Sequence, residues 1–497
     1  MKTRLTTLAA LIVAGIVTIA SAQTHQELFL FSQNNLAGNA RFVSMGGAFG
    51  ALGANYGVAS TNPAGLGLYT RSEASAGVAF GVWNSTTTYS KNYASDNREK
   101  SGFDVSFHLH DLHYLFSSSN ARFQFAVGVN RLNDFNAQTV IEGRSNNSFT
   151  NSIAANADGV IPDHLTRLTL LAYNGWLIDR PDTTRNIYSP TIKKDVLQRQ
   201  TTETRGGLTE IAFSFSGNIQ EKFYIGATIG IPILDYNEKS TLTEKRTPQT
   251  EDAYNLGFTD FVYSHNYDVN GTGVNLKLGV IYKPINSVRI GLAFHTPTYF
   301  SINQTFERKL DLYMSNVTDI GYGWDGLGFY YGEQEEKFRY KYFTPAKGLF
   351  SLGFVIGTYG VIGLEGELLS YRSIRMISDN DLADKVNDDI RSKYQKISGT
   401  VKFGTEWRVS FVSLRLGYNF RSNPYVDKQD NLWSSHIITG GIGVRFNKSL
   451  SLDFGVVHTL NPETYYPYYL DNPNSSLIPD DIRASRTLYA LTFNVRF

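Results

Sequence analysis

The sequence predicts an all-β fold, a fourteen-stranded antiparallel transmembrane barrel with an amino-terminal plug in its lumen. Three observations carry this. Segments of strict apolar/polar alternation recur along the chain. The connections between them alternate short and long, as in outer-membrane barrels. An amino-terminal segment of different composition precedes the first strand. Composition agrees: in 497 residues there are 32 Phe, 30 Tyr and 44 Gly, and charged residues stop at 18%, below the roughly 25% of ordinary soluble domains. Cysteine is absent, so no disulfide framework or thiolate metal site is available. With 46 Lys+Arg against 45 Asp+Glu, nucleic acid is not an expected partner.

Residues 1–22 read as a signal peptide. Lys2 and Arg4 precede the apolar run Leu8 to Ala20, and Ala20-Ser21-Ala22 has the small-x-small pattern of a cleavage site before Gln23. No later run approaches the ~20 apolar residues of a membrane helix, so membrane residence would use strands.

Residues 23–72 are expected to form the plug. Eight glycines fall between Gly38 and Gly67, which resists strand assignment, while Phe29, Phe31, Phe42, Met45, Phe49 and Leu52 are too apolar for a solvated tail. A barrel of about fourteen strands has a lumen that a small folded segment can fill.

Residues 73–497 are read as the barrel. Ile397 to Val409 places Val401, Phe403 and Trp407 on one face and Lys402, Glu406 and Arg408 on the other. Similar splits run through Phe123–Val129, Phe223–Ile231, Val288–Phe294, Val412–Arg421, Leu450–Val456 and Tyr489–Phe497. Short turns are expected near 117–120, 217–222, 283–287, 357–360, 408–411 and 446–449. Long polar connections are expected at 84–101, 132–206, 236–270, 300–343, 372–394, 422–434 and 460–484. Six short and seven long connections require fourteen strands. Pro232 and Pro297 each lie ten residues beyond a short turn, where a ring that cannot donate marks a membrane boundary or bulge.

The charged inner faces make Lys277, Arg289, Lys402, Arg408, Arg415 and Arg445 candidate lumen cations. Each either holds the wall and plug or binds a substrate carboxylate. Two of the wall histidines, His108 and His110, lie on one strand face with His113 nearby, but no third ligand follows at fixed spacing, so no metal and no cofactor is assigned. His110 and Asp111 are adjacent and would face opposite sides of a regular strand. No hydrolase, metalloprotease or phosphate-loop motif occurs, and no enzymatic activity is expected. A terminal aromatic, Phe497, makes the last strand a candidate signal for the outer-membrane barrel assembly machinery. Its assembly would place the chain among outer-membrane lipid in a Gram-negative bacterium.

Gly38-Asn39-Ala40-Arg41, Ser44-Met45-Gly46-Gly47-Ala48-Phe49 and Asn62-Pro63-Ala64-Gly65-Leu66 resemble the hatch of the FadL/TodX-type outer-membrane transporters. Gly273–Phe294 and Phe403–Tyr418 resemble barrel hairpins of that family. The resemblance implies passive transport of a hydrophobic small molecule, most simply a long-chain fatty acid: capture among the loops, hatch movement, and lateral exit through a defect in the third strand. Gly128 is the expected kink of that strand, and Asn62, Pro63, Ala64 and Gly65 the hatch motif, with Gly65 supplying a positive φ. The alternative is a surface protein without transport, either a haem receptor or an adhesin-like structural barrel.

Overall fold

The computed structural model describes residues 25–89, 98–118, 120, 122–254, 256–316, 329–378, 382–426, 434–460 and 481–497. The expected signal peptide lies outside them.

Twenty strands follow in order. They are β1 (Glu73–Tyr89), β2 (Arg98–Ser117), β3 (Phe123–Asp134), β4 (Ala137–Ser145), a small hairpin of β5 (Ile178–Asp182) and β6 (Ile187–Pro190), β7 (Val196–Ile219), β8 (Phe223–Arg246), β9 (Phe258–Ile285) and β10 (Val288–His295). Next come β11 (Tyr299–Met314), β12 (Phe329–Phe343), β13 (Lys347–Ile356), β14 (Gly360–Leu369), β15 (Arg375–Ile377), β16 (Ser398–Val409), β17 (Val412–Arg421), β18 (Ser435–Arg445), β19 (Leu450–Leu460) and β20 (Asp481–Arg496). Four pairs are interrupted single staves: β3 with β4, β10 with β11, β12 with β13, and β14 with β15. Fourteen staves result, each antiparallel to its neighbours, and the ring closes where β1 pairs with β20 from Glu73↔Arg496 to Thr88↔Asp481.

All six short turns lie at one end and the seven long connections at the other, as the alternation requires. The outer face is apolar: Phe107, Leu109, Phe215, Ile225, Leu292, Phe350, Val401, Phe403, Leu416 and Phe493 are exposed, which in water would be an aggregation surface and in a bilayer is the lipid contact. The inner face carries Glu210, Lys277, Glu365, Lys402, Glu406, Arg415 and Asp453, all buried.

Several expected long loops are wall. β7 and β8 run 24 residues and β9 runs 28, more than twice what crosses the hydrocarbon, so the wall stands high above the membrane on one side. Pro232 lies inside β8 where the β8–β9 ladder skips from Gly230↔Asn275 to Ile233↔Thr272, and Pro297 lies in the gap between β10 and β11. Both sit where no ladder hydrogen bond is required. Over the tall side, helices α3 (Phe149–Ala157) and α4 (Arg167–Asn174) bury Phe149, Ile153 and Leu171, joined by Leu177 beyond the end of α4, against Leu242, Phe258, Leu310 and Tyr330. This cap has its own apolar core.

The plug occupies the lumen. It comprises helices α1 (His25–Ser32) and α2 (Ala40–Ser44) and two 3-10 turns, Tyr56–Ser60 and Pro63–Leu68. Phe42, Met45, Phe49 and Leu52 are buried with Ala79, Leu115 and Ala126 of the wall. The first helix climbs toward the long-loop end, where Phe29 stacks on Tyr394 (4.8 Å between ring centroids) and meets Tyr371 edge-on (4.6 Å) beside helix α5 (Leu382–Lys393).

Candidate functional site: the lumen between plug and third stave

The plug is held by charge and by backbone contact. Arg41 donates to Glu406 through Nε (2.7 Å) and Nη2 (3.2 Å), and Glu406 also accepts from Arg408 and from Arg415 (2.8 Å), which in turn reaches Asp453 (2.7 Å). Glu365 accepts from the Gly50 amide at 2.9 Å and from Lys402 at 2.9 Å. Buried charges are tolerable here because each is paired and hydrogen-bonded.

The six expected cations therefore separate. Lys277 pairs with Glu210, which also accepts from Ser60 of the plug (2.9 Å), and Arg289 donates to the Leu52 carbonyl. Lys402, Arg408 and Arg415 are bound to Glu365, Glu406 and Asp453, and Arg445 is exposed at the short-turn end. Five of the six thus serve plug and wall.

The hatch motif forms a capped turn. Asn62 Oδ1 accepts from the Ala64 amide (3.2 Å), Nδ2 donates to the Gly50 carbonyl (2.7 Å) and to the Val280 carbonyl (3.3 Å), and Pro63 takes the first position of the 3-10 turn. Gly65 does not have the expected positive φ. That conformation belongs to Gly53 (φ 60°), and a Cβ on Gly65 would stand 3.0 Å from the Gly53 Cα. Gly65 is required for close approach rather than for backbone freedom.

At the third stave the structure again differs from expectation. Gly128 is in regular register, opposite His113 and Ala212, and a Cβ there would meet Tyr56 Oη at 2.5 Å. The discontinuity lies further up: the β3–β7 register shifts between Arg131 and Asn133, and the strand is interrupted between Asp134 and Ala137. On the facing strand the β1–β2 register shifts too, from Gly77↔Asp111 to Val78↔Leu109, leaving His110 as an extra residue. His110 and Asp111 are consequently both buried rather than on opposite faces. His113 lies 3.5 Å from Glu73 and 3.4 Å from Asp111 and stacks on Tyr56 at 4.1 Å. Among the described residues no group of three His, Asp or Glu could hold a metal ion.

A cavity opens beside this break. Leu30, Trp83, Phe135 and Tyr236 give it apolar walls, Gln33, Asn35, Asn133, Thr202 and Thr204 line it with amides and hydroxyls, and Arg421 and Arg486 reach it from β17 and β20. It shares Asn35, Arg421 and Ile437 with a second, more charged cavity that includes His295, Lys347, Glu367 and Lys402. Arg421 donates to the Asn34 carbonyl (3.0 Å), and Arg486 donates to the Asp134 and Asn136 carbonyls (3.0 Å for the latter). Neither forms an ion pair among the described residues. Arg421 was visible on the charged face of Val412–Arg421, but nothing in the sequence set it apart from Arg415. Arg486 lies above the segment in which the last strand's alternation is evident.

Phe497 is exposed, with its amide on the Ser72 carbonyl (3.1 Å) and its ring 6.0 Å from Tyr114.

No family model and no curated protein matches the chain by sequence. Solved structures do match by shape. A FadL homologue of Pseudomonas aeruginosa is 12% identical, with 93% of this chain and 99% of that one covered and a TM-score of 0.52. The monoaromatic hydrocarbon channel CymD is 11% identical over 94% and 99% of the two chains (TM-score 0.51). The Pseudomonas putida toluene transporter TodX is 12% identical over 93% and 99% (TM-score 0.50).

Proposed function

The chain has the fold of the FadL-type outer-membrane transporters, and from that premise we propose that it passively admits amphipathic hydrophobic molecules, such as long-chain fatty acids, through a Gram-negative outer membrane. Capture would occur under the cap and loops, passage through the lumen cavity beside the plug, and exit sideways at the broken third stave. The observation that carries the reading is that the cavity wall includes both sides of that break, Asn133, Asp134 and Phe135 below it and Ala137 and Thr139 above. A bare hydrocarbon needs no cationic or hydroxyl lining, since burying unpaired polar groups against it is costly. Arg421 and Arg486 instead suit an anionic head, and Trp83, Phe135 and Tyr236 the chain that follows it.

The hatch motif around Asn62 and Pro63 would keep the plug seated until the ligand arrives. Cells lacking their own fatty-acid transporter and expressing this protein should take up radiolabelled oleate several-fold faster than cells with an empty vector. Saturable oleate binding at the surface with no uptake would favour a binding protein without transport, and absence of both would sink the reading.

A further inference from the structure

The third stave leaves its neighbour part-way up the barrel. β2 and β3 pair only from Asp111↔Asn130 to Ser117↔Gln124, although β2 continues to Arg98 and stays fully paired with β1 on its other edge. The unpaired part bears Phe103, Val105, Phe107 and Leu109 on its outer face, all exposed, so it runs through hydrocarbon. A free strand edge at that depth is unfavourable unless covered.

β4 covers it, from behind. A Cβ on Gly102 of β2 would stand 2.2 Å from the Gln138 carbonyl oxygen, so the β4 backbone lies directly against the lumen side of β2. Three β1 side chains donate to its carbonyls: Trp83 Nε1 and Ser85 Oγ to Gln138 (3.0 and 2.9 Å) and Thr87 Oγ1 to Val140 (2.5 Å). On its other edge β4 is laddered to β7 from Ala137↔Thr204 to Ser145↔Val196. It is a flap, hinged on β7 and resting on the β1–β2 wall through side-chain bonds with no ladder.

Its lower end is stapled by Arg486. The guanidinium lies over the Trp83 ring, 5.1 Å from its centroid, and donates to the carbonyls of Asp134, the last residue of β3, and of Asn136, the residue just before β4. The same guanidinium lines the cavity.

Building on the transport reading, we propose that Arg486 is the trigger of a ligand-opened lateral seam. An anionic head group in the cavity draws the Arg486 donors away from the two carbonyls, because a charge-assisted bond to a carboxylate is stronger than one to a neutral carbonyl. Released at its lower end, β4 lifts from β1 and β2, and the ligand's chain passes outward between β2 and the third stave. The ligand can shift this equilibrium because it binds better to the state in which the guanidinium is free.

The chain contains no cysteine, so Ser85→Cys introduces a single thiol under the flap, at a position that is 2% exposed. Its alkylation by N-ethylmaleimide in detergent-solubilised, heat-modifiable barrel reports the seam. Oleate should raise the alkylation rate at least five-fold, while 1-octadecene, with a chain of equal length and no anionic head, should not. Adding Arg486→Gln should give a high rate without ligand and no further response to oleate. Arg486→Lys, which keeps the charge but cannot hold both carbonyls as a guanidinium does, should raise the basal rate as well and serves if the Gln variant does not fold. Oleate that binds without changing the rate, or Arg486 variants with the parent's basal rate, would overturn the trigger while leaving the transport reading intact. Failure of oleate to bind would remove that reading and the trigger with it.

Discussion

Glu244 stands near the far end of β8, beyond the part that crosses the hydrocarbon, and ties the wall to the cap. It accepts from the Phe149 amide (2.7 Å), from Ser148 Oγ (2.6 Å) and from Gln198 Nε2 (2.5 Å), at the start of α3. Burial without any cation raises its pKa to about 7, against the lowering effect of those donors. The folded cap therefore holds a proton that the unfolded cap releases near pH 4.5, so cap stability falls as pH rises from about 4.5 to 7 and is flat on either side. A shift of that size corresponds to a few kcal/mol, on the order of 3. Protease resistance of the 146–195 segment should accordingly be greater at pH 5 than at pH 7.5, and Glu244→Gln should abolish the difference. Resistance that does not change with pH in the parent would refute the assignment. None of this was legible in the sequence, because Glu244 falls in a stretch whose alternation sets Ser240 and Glu244 against Thr241 and Lys245, polar on both faces. The Gly65 error has a related origin: composition marks a glycine as necessary but does not say whether φ or proximity requires it.

At the scale of elements, the plug sits on a track of wall glycines. A Cβ would lie 2.0 Å from the Ala48 carbonyl at Gly363, 2.2 Å from the Met45 carbonyl at Gly404 and 2.3 Å from Pro63 at Gly226. These strands remain regular, so the glycines are there for the plug's backbone rather than for the strands, where glycine costs stability. Gly363→Leu and Gly404→Leu should leave a heat-modifiable barrel but displace the plug, raising the permeability of reconstituted liposomes to arabinose several-fold. Unchanged permeability would mean that the plug adapts and that the track is incidental. The elements themselves were largely readable: where one face meets lipid, alternation such as Val401, Phe403, Trp407 against Lys402 and Glu406 leaves no ambiguity. Above the membrane both faces of a strand meet water, cap or loop, and β8, β9, β11 and β12 merged into apparent loops. The break in the third stave escaped for a different reason. It depends on partners distant in sequence, the Thr204 hydroxyl donating to the Phe135 carbonyl (2.5 Å) and Arg486 donating to the Asn136 carbonyl (3.0 Å), and not on any breaker residue at the kink.

For the whole molecule, closure is the decisive property. Thirteen of the fourteen stave junctions carry long ladders, and the shortest, β2 with β3, still holds seven pairs from Asp111↔Asn130 to Ser117↔Gln124. The first and last strands are joined along their length, with Arg496 Nε on Glu73 at 2.6 Å and the Phe497 amide on Ser72 at 3.1 Å locking the short-turn end. A closed ring offers detergent no edge at which to start unzipping, so an unheated sample in SDS should stay compact and migrate faster than a boiled one. The half-open seam is the weakest place in that ring, because above Asp111 only side chains hold β4 against β1 and β2. Variants that free the flap, such as Arg486→Gln, should therefore lower the temperature at which the fast band converts to the slow one, whereas Phe497→Ser should act earlier, reducing the amount of barrel inserted while leaving the conversion temperature of the inserted fraction within a few degrees of the parent. Equal conversion temperatures for parent and Arg486→Gln would show that the ladders alone set the ring's resistance, and equal insertion of the Phe497→Ser chain would show that its terminal aromatic is read by nothing during assembly.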